Sequence, residues 1–419
     1  MAKDSVATTP IRGRIGALLG ILLLALSLRA AVVSVSPLLA RIEADIPFTE
    51  FTTGLLAMLA PIAFAVFGLL TPRLIKSFGL EKTLIISLAL AVVGQLARVF
   101  MPEVYSFLAL SIVTLAGYGM GNVVLPPLVK KYFPERIGLV TSGYVTMLAI
   151  GTWMAPQFSV PLANLSNWKI SIGSWAVLSG VVLIPWMVQL FADRGVTRAE
   201  HPVNANGVAH PIAKINPWKS KVAWGLAIYL AGNSAQTYVY FTWLPPYLQN
   251  RGLDELAAGN MLALFAILGL PVSLLVPLWV PRLKNPIIAV LIFTACWITG
   301  HLGIFLSPTH NTALWVCAAG LGQGTFAIAL LMMNLRSRTT YGSGVLSGFA
   351  QGLGYAGAAI VPMLFGVVQK ATDSWGAAFS MLAGCVVVML IGAVIINSPR
   401  TIEDDSPNTE DLGKLERID

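Results

Sequence analysis

Arg29 is the residue of this sequence whose surroundings most demand a chemical explanation. It stands within LLLALSLRAAVVSVSP, residues 22–37, a run that is otherwise apolar, small or hydroxyl-bearing. Helical geometry places it about 15 residues, roughly 22 Å, into an apolar segment that begins near residue 15, close to the middle of a membrane. An arginine at that depth costs about 2.5–3.5 kcal/mol on insertion scales, so a compensating partner is expected.

No acidic side chain is predicted to lie beside Arg29. The 19 aspartates and glutamates fall in loops, at the ends of apolar runs or in the terminal segments. Because arginine keeps its proton, the remaining partners are backbone carbonyls, amide or hydroxyl side chains, water in a cavity, or a bound anion. The planar guanidinium fits a carboxylate or a nitro group through two parallel hydrogen bonds. We expect a substrate-facing arginine; the alternative is an arginine packed permanently against carbonyls.

Two further polar residues lie at the centre of the seventh apolar run, LAGNSAQTYVYFTWLPPYL. Gln236 and Tyr240 are four residues apart and share a helix face. An internal repeat matches this run to the first, so the sequence predicts that both side chains face the same cavity as Arg29. The alternative is hydrogen bonding between packed helices, which is common for buried amides.

Five other residues complete the predicted substrate-binding set. Asn122 follows the glycines of GYGMGNVVLPP in the fourth run, and Gln323 stands in the corresponding stretch of the tenth. Tyr144, Gln351 and Tyr355 lie in the fifth and eleventh runs, where tyrosines suit a flat solute. For each of the five, packing between helices is the alternative role. The first, seventh, fourth and tenth runs are expected to line the path.

A membrane-embedded proton relay is not evident. His201 and His210 fall in the central linker, and His301 and His310 are predicted to lie near the outer surface. Three possibilities stay open: protons travel with the substrate, a helix-end acid such as Glu43 relays them, or transport is not proton-coupled. Intramembrane acids serve as proton relays in many carriers, and this sequence places none at mid-depth.

Patterns that indicate an enzyme, a cofactor or a metal site do not occur. The stretch GLGYAG, residues 352–357, fits GxGxxG, but no strand precedes it, so helix packing is the interpretation. The three cysteines form no CxxC pair and lie in apolar runs. No catalytic, cofactor-binding or metal-binding residue is predicted. The basic residues form no stripe with interleaved aromatics, which excludes nucleic acid as a partner.

Composition identifies the elements that must hold these residues. The chain of 419 residues is 56% hydrophobic and 11% charged, with a mean hydropathy of +0.76. Soluble domains carry about 25% charged residues, so the sequence predicts an all-α membrane protein in a lipid bilayer. Twelve apolar runs are long enough to span it: 15–40, 51–72, 83–101, 104–128, 137–163, 170–192, 219–248, 257–280, 286–306, 312–335, 341–369 and 376–397.

The distribution of positive charge orients the spans. Of the 27 lysines and arginines, one side of the predicted topology holds only five: Arg41, Arg98, Lys169, Arg251 and Lys370. Arg98 is expected to extend outward from the last turn of its helix. Both termini are therefore predicted to be cytoplasmic. The predicted organisation is a six-helix bundle at 1–192, a linker at 193–217, a second six-helix bundle at 218–398 and a disordered tail at 399–419.

The two halves repeat each other. TPRL at residues 71–74 recurs as VPRL at 280–283, and GYGMG from 117 recurs as GLGQG from 320. Ser-Gly at 142 recurs at 347, and SPLL after residue 36 has a counterpart in PPYL after 245. Four matches in order, on corresponding helices, favour a duplicated six-helix unit of the kind that builds rocking transporters.

These features together resemble the major facilitator superfamily. The stretches LRAAVVSVSPLL, LTPRLIKSFGLEKTL, GMGNVVLPPLVKKYFPER, FTWLPPYLQNRGL and LSGFAQGLGYAGAAIVPMLFG are similar to the bacterial cyanate permease and nitroimidazole transporter family. Pro72 stands before Arg73, where the superfamily usually has an acid. The resemblance implies a monomeric secondary transporter of the bacterial cytoplasmic membrane, carrying a small anion or a nitro-heterocycle by alternating access. Two alternatives are a multidrug exporter of the same fold and a receptor that does not transport.

Overall fold

The computed structural model describes residues 14–192, 215–283 and 285–405. Most of the predicted linker and the end of the predicted tail lie outside these described residues. Within the described ranges the secondary structure is helical, with α-helices joined by short 3-10 turns. The prediction of an all-α membrane protein is confirmed.

Fifteen helices in the described ranges account for the twelve predicted spans. The N-terminal half contains α1 (Ile15–Val33), α2 (Leu39–Asp45), α3 (Glu50–Phe78), α4 (Leu80–Arg98), α5 (Val104–Tyr132), α6 (Ile137–Leu165) and α7 (Trp168–Ala192). The C-terminal half contains α8 (Lys221–Asn250), α9 (Glu255–Ile267), α10 (Gly269–Trp279), α11 (Ile287–Leu306), α12 (Thr312–Gly322), α13 (Gly324–Leu335), α14 (Thr340–Thr372) and α15 (Trp375–Asn397). The eighth span is α9 with α10, and the tenth is α12 with α13.

Ten helices of the described residues are long and apolar enough to cross a membrane. The first span is α1, whose 19 residues are apolar or small apart from Ser27 and Arg29. The seventh span, α8, has 30 residues, enough to cross, but carries Asn233, Ser234 and Gln236 near its centre.

The first span is shorter than its apolar run. Helix α1 ends at Val33, a 3-10 turn covers Ser36–Leu38, and α2 follows. Pro37 accounts for the interruption because it lacks a backbone donor and disfavours a helical conformation in the residue before it. Arg29 therefore lies in the last turns of α1. Arg29 nevertheless lies about as far from the start of α1 as Tyr355 lies from the start of α14. Tyr355 is near the midpoint of α14.

Two spans of the C-terminal half are broken at mid-depth. Leu268 separates α9 from α10, and Gln323 separates α12 from α13. Pro271 in the first turn of α10 has no N–H to offer the preceding turn, which explains the first break. The side-chain Nε2 atom of Gln323 donates to the carbonyl oxygen of Phe265 over 2.6 Å, so the two breaks lie side by side. Broken helices at membrane depth need such partners for their freed backbone groups.

The two halves meet along their cytoplasmic parts. Helix α14 packs against α3 and α5, while α10 and α13 pack against α6. A Cβ atom on Gly348 of α14 would collide with Pro72 of α3, and Ser142 of α6 donates to the carbonyl of Leu274 of α10 over 2.5 Å. Lys130 of α5 donates to backbone carbonyls at the end of α13. The described conformation is thus closed on the cytoplasmic side.

The chain after α15 is partly ordered. Ile402–Asp405 forms a 3-10 turn whose Ile402 is buried, so the prediction of a disordered tail is wrong for these residues. The Glu403 carboxylate accepts hydrogen bonds from the backbone N–H groups of Arg338 and Thr339 at the start of α14. Such acceptors satisfy N–H groups that have no partner inside the helix.

Asp404 and Asp405 add to this docking. Partial burial acts against ionisation of Asp404, but hydrogen bonds from Thr401 and the Arg338 guanidinium, 2.5 Å away, lower the pKa of its carboxyl group. Asp405 accepts a hydrogen bond of 2.7 Å from Ser220, the residue that caps α8. The segment thereby ties the cytoplasmic starts of α8 and α14 together.

Candidate functional site between the two halves

Arg29 lies at the boundary between the halves. Its Nη2 atom donates to the hydroxyl oxygen of Tyr355, on α14 of the opposite half, over 3.1 Å. Tyr238 of α8 is its second polar neighbour, and both hydroxyls act on the guanidinium electrostatically. The side chain is half-buried rather than enclosed. Its electrostatic partners in the described part of the chain are therefore neutral hydroxyls, and the guanidinium keeps its charge.

Tyr355 is held from both halves. Its buried ring packs edge-on against Phe64 of α3, with centroids 5.3 Å apart. The small residues of α14 make this possible, because Gly352 and Gly68 bring the α14 and α3 backbones into close approach. Tyr144 of α6 is buried within electrostatic range of Tyr355, and its hydroxyl has no hydrogen-bond partner among the described residues. The Thr141 hydroxyl, one turn earlier in α6, is its polar neighbour.

Gln351 and Asn122 also lie where the halves meet, one turn closer to the cytoplasm than Tyr355. The Nε2 atom of Gln351 donates to the backbone carbonyl of Asn122, 3.1 Å away on α5, and to Ser347, 2.8 Å away. The Asn122 side chain donates to the carbonyl of Tyr118 in its own helix. Both side chains are buried, so they form a polar floor beneath the site.

Gln236 and Tyr240 point away from Arg29. Both are buried inside the C-terminal half, where His301 of α11 joins them. The His301 Nε2 atom is 2.8 Å from the Gln236 side-chain oxygen, and Nδ1 is 2.7 Å from the Tyr240 hydroxyl. The sequence predicted that both side chains face the cavity. The structure instead places them on the opposite face of α8, so they are not part of the proposed site. The expectation that His301 lies near the outer surface is wrong, because its partner Gln236 is at the midpoint of α8.

The hydrogen bonds around His301 fix its tautomer. Gln236 uses its Nε2 atom to donate to the carbonyl of Gly232, so its oxygen faces the imidazole as an acceptor. His301 must then carry its proton on Nε2, and Nδ1 accepts from the Tyr240 hydroxyl. The triad is internally satisfied, which is the arrangement that a stabilising buried network requires.

Tyr238 is the site residue that sequence reasoning left out. On α8 it belongs to the half-exposed face with Thr237 and Phe241, whereas Gln236 and Tyr240 belong to the buried face. The two faces carry similar residue types, so periodicity alone does not distinguish them. Gln323 is also separate from Arg29, since its side chain bridges the two helix breaks described above.

Arg98 was expected to extend outward, and this is wrong. Its side chain is 2% exposed, because the turn after α1, α2 and the starts of α5 and α7 cover the outer end of α4. In the described ranges no group of three or more histidine, cysteine or acidic side chains is arranged to hold a metal ion.

The sequence and the fold are similar to those of known proteins. Residues 17–362 match the sequence model of the Major Facilitator Superfamily, and the chain belongs to that superfamily. It is similar to the 2-nitroimidazole transporter of Escherichia coli, with 30% identity over 91% of this chain and 95% of the relative. It is 26% identical to the cyanate transport protein CynX of the same organism, over 89% of this chain and 95% of the relative.

A solved structure shares the architecture. The proton:xylose symporter XylE, solved with 6-bromo-6-deoxy-D-glucose, superimposes with a TM-score of 0.71 and 12% identity, covering 93% of this chain and 98% of the symporter. At this identity the likeness concerns the fold alone. The chain is thus a multi-pass membrane transporter of the major facilitator superfamily.

Proposed function

We propose that this transporter moves a small planar anion or a nitro-heterocycle by alternating access, with Arg29 as the group that orients it. The observation that carries the proposal is the environment of the Arg29 guanidinium. It is half-buried at mid-depth and hydrogen-bonded to the Tyr355 hydroxyl of the other half, and its electrostatic neighbours among the described residues include no carboxylate.

Charge balance favours a ligand with negative oxygens. A tyrosine hydroxyl offers a hydrogen bond but no charge, so the positive field of Arg29 is available to an incoming substrate. Arginine presents a planar pair of N–H groups that fits carboxylate-like or nitro oxygens better than lysine does. The relatives named for 2-nitroimidazole and cyanate support this class of substrate.

Four other residues would shape the pocket. Tyr238 and Tyr355 would flank a flat solute, the unpaired Tyr144 hydroxyl would donate a hydrogen bond, and Gln351 would limit the depth of entry. Aromatic walls suit a heterocycle, and the hydroxyls suit its polar edge. Because Arg29 and Tyr355 come from opposite halves, a ligand bound between them would couple binding to the closing of the halves.

The setting of the transporter belongs to the same proposal. We infer a monomer in a bacterial cytoplasmic membrane, oriented with the α3–α14 contact on the cytoplasmic side, in agreement with the distribution of lysine and arginine. Proton coupling through the substrate, through a helix-end acid such as Glu43, or no proton coupling are all compatible with the described contacts.

Transport into proteoliposomes tests the proposal. Labelled cyanate and 2-nitroimidazole are offered to liposomes that contain wild-type protein, Arg29→Lys, Arg29→Gln or the exposed outer-side control Arg251→Gln. We expect flux of at least one compound, a loss of about tenfold or more in affinity for both Arg29 variants, and no change in the control.

Two results would oppose it. Full transport of many unrelated hydrophobic compounds by Arg29→Gln would favour a multidrug exporter. Absence of flux with every candidate, in protein that binds the compounds, would favour a receptor.

A further inference from the structure

A second arginine is buried in the N-terminal half without a partner. Arg98 is at the last position of α4, and its Nε and Nη2 atoms have no hydrogen-bond partner among the described residues. These two nitrogens form one edge of the guanidinium, the edge whose parallel N–H groups bind two oxygens of one anion. Both unsatisfied donors therefore point in one direction.

The surroundings of Arg98 supply weak compensation only. The ring of Phe107 lies 6.0 Å from the guanidinium carbon, a cation–π contact. Tyr118 is its electrostatic neighbour, but the Tyr118 hydroxyl is 3.0 Å from Ser179 and engaged there. Gln95, one turn earlier, donates to the carbonyl of Ile172 over 2.7 Å and leaves its own side-chain oxygen without a partner.

The described acidic side chains near this end of the N-terminal half bond to other residues or are exposed on the surface. Asp45 of α2 accepts a hydrogen bond of 2.7 Å from the Trp168 indole. Glu43 of α2 and Glu103, at the N-cap position of α5, are exposed. Arginine keeps its proton, and an uncompensated charge away from water is strongly unfavourable. A buried guanidinium with a free bidentate edge is therefore expected to take an anion from solution.

We propose that Arg98 is the anchor of an anion-binding site within the N-terminal half, for a small monovalent anion such as a halide or a planar oxoanion. In this proposal the anion lies along the Nε–Nη2 edge, whose donors have no partner among the described residues. Phe100, two residues further along, is 74% exposed, so Arg98 lies close to the surface of the protein. The site is separate from Arg29 and independent of the transported substrate.

Thermal unfolding of the purified full-length protein tests the site. Sodium gluconate is replaced by sodium bromide, which is not a planar anion of the class proposed for Arg29, at constant ionic strength and pH. We expect the Tm of the wild type to rise by about 3–5 °C, as binding to the folded state requires. The exposed control Arg251→Gln should show the same rise, and Arg98→Met should show none. In gluconate, Arg98→Met should be at least as stable as the wild type, because the unpaired charge is gone.

A full rise retained by Arg98→Met would overturn the proposal. A second measurement needs no variant. Crystals of the wild type grown in bromide should give an anomalous peak within hydrogen-bonding distance of the Arg98 Nε and Nη2 atoms. Saturating bromide without such a peak contradicts the site.

Discussion

The Nζ atom of Lys130, in α5, donates to the carbonyl oxygen of Asn334, in α13 of the other half, over 2.8 Å. It also donates to the backbone carbonyl of Ser337 and to the Ser337 hydroxyl, 3.1 Å away. The last carbonyls of a helix lack intrahelical donors and attract a positive charge. A side chain from one half thus caps a helix of the other, on the side where the two halves are in contact.

Lys130→Met should weaken this closure. Spin labels on cysteines introduced at the exposed positions Lys76 and Arg282, in opposite halves and in a background without the native cysteines, report the separation of the halves. We expect a new population at longer distance, measured by pulsed electron paramagnetic resonance, because the cap on α13 is lost.

The neighbouring lysine provides the control for that experiment. Lys131 pairs with Glu81 of α4, in the same half, over 2.8 Å. Lys131→Met should leave the distance distribution as in the wild type. Identical distributions for Lys130→Met and the wild type would show that the contact does not hold the halves.

Gly348→Val should disrupt the packing of α14 on α3. A Cβ there would lie 2.7 Å from the Gly68 carbonyl oxygen and would collide with the Pro72 ring. Overpacking of this kind costs about 1–3 kcal/mol, and here the cost destabilises the closed conformation, in which α14 packs on α3. The readout is the same interspin distance together with Tm. Gly384→Val is the control, since a Cβ at Gly384 meets nothing within 4 Å, and equal behaviour of the two variants would refute the prediction.

His301→Phe should destabilise the C-terminal half without altering the Arg29 site. The change leaves the Gln236 oxygen and the Tyr240 hydroxyl buried and unpaired, which costs about 2–4 kcal/mol. Tm should fall clearly while substrate affinity stays within about twofold of wild type in the folded fraction. His310→Phe, at an exposed position, should change neither quantity. A selective loss of affinity in His301→Phe would mean that the triad contacts substrate after all.

Glu403→Ala should loosen the start of α14. Two backbone donors, those of Arg338 and Thr339, lose their acceptor, and loss of a helix cap costs about 1 kcal/mol. A modest drop in Tm and faster amide exchange at residues 338–342 are the expected results. Glu135→Ala, in an exposed cytoplasmic turn, is the comparison. Unchanged exchange at the start of α14 would argue against the capping role.

Much of the architecture was predictable because the bilayer imposes a strong pattern. Apolar runs of sufficient length marked the spans, and the repeat paired the two halves. Helix interruptions were harder to foresee. Pro37 and Pro271 account for two breaks, but Gln323 interrupts its helix where only a tertiary partner, the freed carbonyl of Phe265, explains the position.

The site was predictable in residue type but not in orientation. The side chains of Arg29 and Tyr355, at mid-depth on α1 and α14, come together at the boundary between the halves. Gln236 and Tyr238 are two residues apart and therefore point in different directions, and neither hydropathy nor residue type shows which faces the cavity. Arg98 was misplaced because the covering layer is built by α2, a short helix that follows an unforeseen turn.

The division of α8 into two chemically similar faces has an evolutionary consequence. In the proposed site, changes at Tyr238 would alter contacts with the substrate, while Gln236 and Tyr240 are hydrogen-bonded to His301 inside the C-terminal half. Under this proposal, substrate preference and structural integrity depend on different faces of one helix. Single substitutions could then change substrate preference without loss of stability, and transporters built on this duplicated fold could diversify.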